Sequence, residues 1–162
     1  MRMSTTYASN ARVAATAMVT NTTLPAPTAP RMAFFHAEVF AVITQVKFVG
    51  VPVSDQDRAL AFYTDKLGFE VSTDQPMGPG QRWIELRIAN APTRLVLFTP
   101  PGHEDRIGTF FNGSLQCDNV EATHRQLSQR GVQFVEGPTK QPWGTFAKFR
   151  DPDGNTFVLS SG

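Results

Sequence analysis

Shifted by 63 residues, the second half of this chain falls on the first. Asp55 lands on Asp118, Ala59 on Ala122, Gly68 on Gly131, Trp83 on Phe146, Leu86 on Phe149, Arg87 on Arg150 and Thr93 on Thr156. The register predicts no gap across a helix start, a helix stop and two later strands. A repeat of this length indicates duplication of one supersecondary unit that cannot cover its own apolar face alone.

The unit itself is readable. VKFVGVPV (46–53) is β-branched and apolar, a strand. SDQDRALAFYTDKLG (54–68) opens with Ser54, carries Asp57 three residues on as a capping-box acid, and stops at Gly68, which predicts a helix. Ala59, Leu60, Tyr63 and Leu67 form its apolar stripe, so Tyr63 belongs to the core. FEVSTD (69–74) is a strand, QPMGPG a loop, and WIELRIA (83–89) and TRLVLFT (93–99) are paired strands. The second unit repeats this with strands at 110–117, 132–136, 143–149 and 155–161 and a helix at 119–130. The fold class is therefore α+β, two tandem βαβββ modules over residues 46–99 and 110–161.

Ahead of them, residues 1–44 hold Arg2, Arg12 and Arg31, one acid (Glu38), and an Ala/Thr/Ser-rich text ending in LPAPTAP around residue 30. Such text cannot offset its ordering entropy by burial, and the expectation is a disordered leader or a start assigned too early. An Arg-containing, acid-poor leader also fits organellar targeting, the alternative to a cytoplasmic protein. The expected domains are thus a leader at 1–44 and one folded domain at 45–162.

Composition excludes several function classes. Net charge is +1, from 15 basic and 14 acidic residues, with no basic run, so nucleic acid is not an expected partner. The single Cys117 rules out an intramolecular disulfide framework. No apolar run reaches the roughly 18 residues that a membrane span needs.

Strand alternation then separates two faces. Ile84, Leu86 and Ile88 point one way and Trp83, Glu85 and Arg87 the other; Ala147 and Phe149 oppose Phe146, Lys148 and Arg150; Leu115 and Cys117 oppose Asn112, Ser114 and Gln116. One face wants helices. The other, aromatic with a few polar groups, is expected to line a concave small-molecule cleft. Glu85 and Lys148 fall on equivalent positions and are expected to face each other, either as a plain cross-sheet ion pair or with Glu85 a candidate general base. Trp143, in QPWG, is either a candidate lid or a loop aromatic packed on the core. His103 and His124 have no partner at metal spacing and are expected on the surface; His36 lies in the leader.

VPVSDQDRALAFYTDKLGFE, the repeat and FRDPDGNTFVLSS together resemble the vicinal oxygen chelate superfamily over about residues 45–162. That superfamily includes glyoxalase I, extradiol dioxygenases, fosfomycin-resistance enzymes and bleomycin-resistance binding proteins. The resemblance implies an open, barrel-like cleft and a homodimer whose subunits exchange or complete modules. Its metal-dependent members present His or Gln, Glu, His and Glu at four strand positions, which here fall on Phe48, Glu85, Asn112 and Val158. Phe48 and Val158 offer no lone pair and Asn112 is a poor ligand, so no metal and no cofactor is expected. The implied function is binding of a small organic ligand by Phe48, Trp83, Arg87, Asn112, Trp143, Phe146, Lys148 and Val158. A glyoxalase-like lyase or isomerase, or a dioxygenase-type metalloenzyme with a divalent metal, is the alternative, with Glu85 as base or ligand. Asp151-Pro152-Asp153-Gly154 is explained by turn chemistry alone, with Pro at the second turn position and Gly at a positive φ.

Overall fold

A computed structural model describes residues 43–161. The expectations for residues 1–42, His36 among them, lie outside the described residues.

Two four-stranded mixed sheets carry the fold. Module one runs β1 (Phe48–Pro52), α1 (Gln56–Ala61, continuing as a π-helical turn Phe62–Lys66), β2 (Glu70–Gly78), β3 (Gln81–Arg87) and β4 (Arg94–Phe98). Module two runs β5 (Asn112–Gln116), α2 (Val120–Gln129), β6 (Gln133–Gln141), β7 (Gly144–Arg150) and β8 (Thr156–Ser161), after a 3₁₀ turn at Glu104–Arg106. The sheet orders are β1-β4-β3-β2 and β5-β8-β7-β6. In each, the first strand lies parallel to the last and the remaining pairs are antiparallel. The sheets are not closed into a barrel; β1 and β5 are outer strands, and a cleft is left open.

The helices begin and end as their sequences dictate. Asp55 caps α1 by accepting from the Arg58 N–H at 2.9 Å, and Asn119 caps α2 by accepting from the Ala122 N–H at 2.7 Å. Gly68 and Gly131 follow the two helices at φ 77° and 81°, the left-handed turn that ends a helix. After α2 the closure is a Schellman motif, with Val132 N–H on Leu127 O and Gly131 N–H on Ser128 O. After α1 both bonds are one residue wider, Phe69 N–H on Tyr63 O and Gly68 N–H on Thr64 O.

That widening corrects the gapless repeat. Cap to glycine spans Asp55 to Gly68 in module one and Asn119 to Gly131 in module two, so α1 holds one extra residue and takes it up as the π turn. The offset is 64 residues at the helix caps, 63 from Gly68 through β3 and 62 in the last strand, where Val96 and Val158 stand opposite Glu85 and Lys148. The predicted capping box also gives way: Asp55 is the cap, and Ser54 instead bonds Asp153 through both its N–H, at 3.1 Å, and its hydroxyl. The text predicted as a loop at QPMGPG is largely strand, because β2 absorbs its irregular residues as bulges at Val71/Thr73 and Pro76/Gly78.

One core joins the modules. Val51, Val53, Ala59, Phe62, Tyr63, Ile84, Leu86, Leu95 and Leu97 of module one cluster with Leu127, Val132, Phe149 and Phe157 of module two. Phe149 and Phe157 stack at 5.4 Å, and Tyr63 meets the Phe157 edge at 6.1 Å. Two cations cross between helix ends: Lys66 Nζ donates to Gly131 O at 3.1 Å, and Arg130 Nη1 donates to Lys66 O at 3.2 Å. Each adds positive charge where helix carbonyls run out of partners.

Candidate functional site

The face of each sheet turned away from the helices carries the residues singled out by alternation. On module one, β1 brings Phe48, β3 brings Trp83 and Glu85, and β4 brings Arg94, Val96 and Phe98. Phe48 and Trp83 meet edge to face at 5.2 Å and 87°. Gly50 has no side chain to hold the Phe98 ring away; a Cβ there would lie 2.8 Å from its Cε1. Phe48, Trp83 and Phe98 therefore form an aromatic floor, and Phe48 and Phe98 are exposed.

Glu85 sits within that floor. The Trp83 indole Nε1 lies 3.5 Å from its Oε2 and Arg94 Nε lies 3.7 Å from its Oε1. Both charged side chains are mostly covered, 17% exposed for Glu85 and 27% for Arg94. Arg94 is itself anchored by an Nη1 bond to Ala91 O at 3.0 Å. Arg87 pairs with Glu70 on β2, and its guanidinium holds the Glu70 carboxyl below the usual carboxylate range.

On module two the corresponding face carries Asn112, Phe146, Lys148 and Val158. Lys148 Nζ bonds Glu136 Oε1 at 2.7 Å. The expected Glu85–Lys148 partnership is thus replaced by two pairs, each inside its own sheet, because the neighbouring strands supply Arg94 and Glu136. Asn112 is exposed, Phe146 and Val158 are half-buried, and Trp143 is 78% exposed at the β6–β7 hairpin.

Sheet pairing fixes which positions correspond. Phe48 stands beside Arg94 and Asn112 beside Thr156, so Phe48 and Asn112 are equivalents. Val96 and Val158 are likewise equivalents, and Val96, not Glu85, is the counterpart of Val158. A four-residue chelate obeying the repeat would then consist of Phe48, Val96, Asn112 and Val158, a set with one weak oxygen donor. With Glu85 substituted for Val96 it has one carboxylate. Neither set fits a divalent cation, and among the described residues no three His, Cys, Asp or Glu side chains converge. His103 is exposed and His124 is half-buried, its ring 4.2 Å from that of Phe134.

Arg94, Val96 and Phe98 were not among the residues singled out from the sequence. TRLVLFT reads as a run of apolar residues with no marked alternation, and only the pairing of β4 between β1 and β3 shows which of its side chains join Phe48 and Trp83.

A second, apolar groove of about 470 Å³ opens on the helix side between the modules, lined by Val49, Leu67, Ile88, Leu115, Leu127 and Leu159 among others. It lies between the outer strands β1 and β5. No described helix is long and apolar enough to cross a membrane.

Residues 45–159 match the Glyoxalase/Bleomycin resistance protein/Dioxygenase superfamily. YetH of Bacillus subtilis (strain 168) is 36% identical over 121 residues, spanning 73% of this chain and 98% of that protein. Among solved structures, UcmS2 is 40% identical with a TM-score of 0.67, covering 73% of this chain and 98% of that one. TnmS3, an antibiotic binding protein from Streptomyces sp. CB03234, is 38% identical with a TM-score of 0.64, covering 75% and 98%. With its paired βαβββ modules, its open cleft and a family match across almost all of its described residues, the chain belongs to the glyoxalase/bleomycin resistance protein/dioxygenase superfamily.

Proposed function

We propose that this protein binds a small aromatic or amphipathic organic molecule in its cleft without a metal or other cofactor, as a sequestering protein rather than an enzyme. The observation that carries this reading is the Phe48–Trp83 pair: two large aromatic side chains meet edge to face on an open sheet, with Phe98 on the same sheet face over Gly50. Exposed aromatic area is costly to leave in water and is well used by a planar ligand. The likeness to TnmS3, an antibiotic binding protein, supports the same ligand class. Glu85 as a general base is the basis of the enzymatic alternative. Its engagement by Arg94 and the Trp83 indole favours a role in positioning and polarity over proton abstraction.

The binding unit is a homodimer. In one copy β1 and β5 each leave one edge unpaired, with Val46, Phe48 and Val49 exposed at the first. Free strand edges of this kind pair readily with another chain. A two-fold arrangement that sets β1 of one copy beside β5 of the second covers all four edges, fills the apolar groove and joins Phe48, Trp83, Glu85 and Arg87 of one copy to Asn112, Phe146, Lys148 and Val158 of its partner in one cleft. Residues 45–162 supply this unit, and the protein works in the cytoplasm with neither nucleic acid nor membrane as partner.

The test is titration with a panel of polycyclic aromatic antibiotics, followed by Trp fluorescence. Phe48→Ala and Trp83→Ala weaken binding by about tenfold or more each while circular dichroism is unchanged. Turnover of any ligand, abolished by Glu85→Gln with affinity kept, would instead establish the enzyme. Light scattering checks the assembly: two chains for the native protein, one for Val49→Asp.

A further inference from the structure

The charges around the aromatic floor are arranged in pairs, and the pairing constrains the ligand. Glu85 is matched by Arg94, Arg87 by Glu70 and Lys148 by Glu136, each across neighbouring strands of its own sheet. Arg150, on the same face of β7, is exposed to water. Of these three pairs, Glu85–Arg94 is the one that lies among the aromatic side chains and is mostly covered. A ligand with a net charge stacking there would have to pull this pair apart or leave its own charge unmatched in a partly dry site, and both outcomes are costly. An uncharged ligand avoids the conflict, and a hydroxyl or amide N–H on its ring edge finds a carboxylate oxygen of Glu85 already oriented by the Trp83 indole and Arg94.

Resting on the ligand-binding reading above, we infer that the Glu85–Arg94 pair is the specificity element of the cleft, selecting planar aromatic molecules that are uncharged and donate a hydrogen bond. Neither partner selects alone. Without Glu85 the Arg94 guanidinium, still held by Ala91 O, is an unmatched cation at the strand position next to Phe48. Without Arg94 the Glu85 carboxylate is an unmatched anion on the same sheet face. The pair thereby excludes both kinds of ion by presenting each with a like charge, discrimination through the repulsive element.

The experiment uses three ligands on one ring framework at pH 7: 2-naphthol, 2-naphthoate and 2-naphthylmethylammonium, titrated into the full chain by calorimetry. For the native protein 2-naphthol binds tightest, by about tenfold over either ion. In Glu85→Gln the anion overtakes 2-naphthol, and in Arg94→Gln the cation does. The two variants are expected to move in opposite directions, which general damage to the fold cannot produce. An ion that binds the native protein as tightly as 2-naphthol, or a ligand order unchanged in both variants, overturns the assignment while leaving an aromatic cleft intact. Failure of all three to bind the native protein overturns the assignment together with the ligand-binding reading beneath it.

Discussion

Tyr63 and Asp151, 88 residues apart in the chain, are joined by a 2.8 Å hydrogen bond in the core, phenol to carboxylate Oδ2. The bond ties the helix of module one to the last hairpin of module two. The same carboxylate accepts from Asn155 Nδ2 on Oδ2 and from the Asn155 and Asp153 N–H groups on Oδ1. Asn155, fully buried, also reaches back to Pro52 O at 2.8 Å. One exit from the turn, Asp153, collects Ser54 and Arg58 from the start of α1. The DPDGN turn is therefore a clasp between modules as well as a hairpin connection.

Tyr63→Phe removes one of the clasp's buried donors and is expected to lower stability by about 1–3 kcal/mol, because the Asp151 carboxylate loses one of its partners where water does not replace it. Denaturant melting measures the loss. Ligand affinity is expected to stay within about twofold, since Tyr63 is on the helix side of the sheet.

Two glycine substitutions are expected to separate stability from binding. Gly108 has φ +74°, and a Cβ there would lie 2.1 Å from Asp153 O, so Gly108→Ala should cost about 2 kcal/mol or more. Gly50 meets only the exposed Phe98 ring, which can turn aside. Gly50→Ala is therefore expected to disturb the aromatic floor and weaken ligand binding with a stability change below about 1 kcal/mol. Melting curves and titrations on both variants make the comparison.

Stability should fall at both ends of the pH scale for identifiable reasons. Burial, together with Asp151, pushes the Tyr63 phenol far above its ordinary value, so its contribution is complete below about pH 10 and lost as pH rises beyond the unfolded pKa. Hydrogen bonds from Arg82 and Arg87 hold Asp74 and Glu70 below the ordinary carboxylate range. Their contribution is present above about pH 4 and lost as pH falls through the folded values. Arg82→Gln is expected to flatten the acid limb and Tyr63→Phe the alkaline limb, both read from melting temperature against pH.

Chelator dialysis is expected to leave the melting temperature unchanged, and nickel, zinc, manganese or ferrous ions to raise it by less than about 1 °C, as linkage requires when the native state has no site for them. Stoichiometric metal by elemental mass spectrometry would defeat this expectation and return the chain to the metalloenzyme alternative.

Removal of residues 1–44 is expected to leave ligand affinity and dimer formation unchanged within about twofold. Titration and light scattering of the shortened chain against the full one provide the check.

The succession of strands and helices was legible because duplication supplies the same message twice, and a face that alternates in WIELRI alternates again in TFAKFR. The π turn was not. Phe62–Lys66 keeps a helical apolar stripe, and a single inserted residue changes the closing bonds without changing the composition. The extent of β2 was hidden for the opposite reason: QPMGPG has the composition of a loop, yet bulges admit it to the sheet. On the site, Phe48 and Trp83 were foreseeable from their strand faces, and so was the pairing of β3 with β4, whereas the Glu85–Arg94 pair needed their register, Glu85 opposite Val96, which no local spacing announces. The clasp was missed because Asp151 and Asn155 satisfy a turn so well that nothing calls for distant partners such as Tyr63 and Pro52.

The stepwise drift of the repeat, 64 then 63 then 62, bears on how such a gene can be recombined with itself. A crossover between Gly68 and Arg87 and their counterparts joins the halves in frame with every strand face preserved. A crossover that trades β4 for β8 at the 63-residue spacing slips that strand by one position, and in a sheet one position turns the whole row of side chains inside out. The two places where the spacing steps are a helix and a hairpin turn, where one residue more or less can be taken up without moving a strand. The middles of the two modules therefore correspond position for position, while their last strands fit only their own modules.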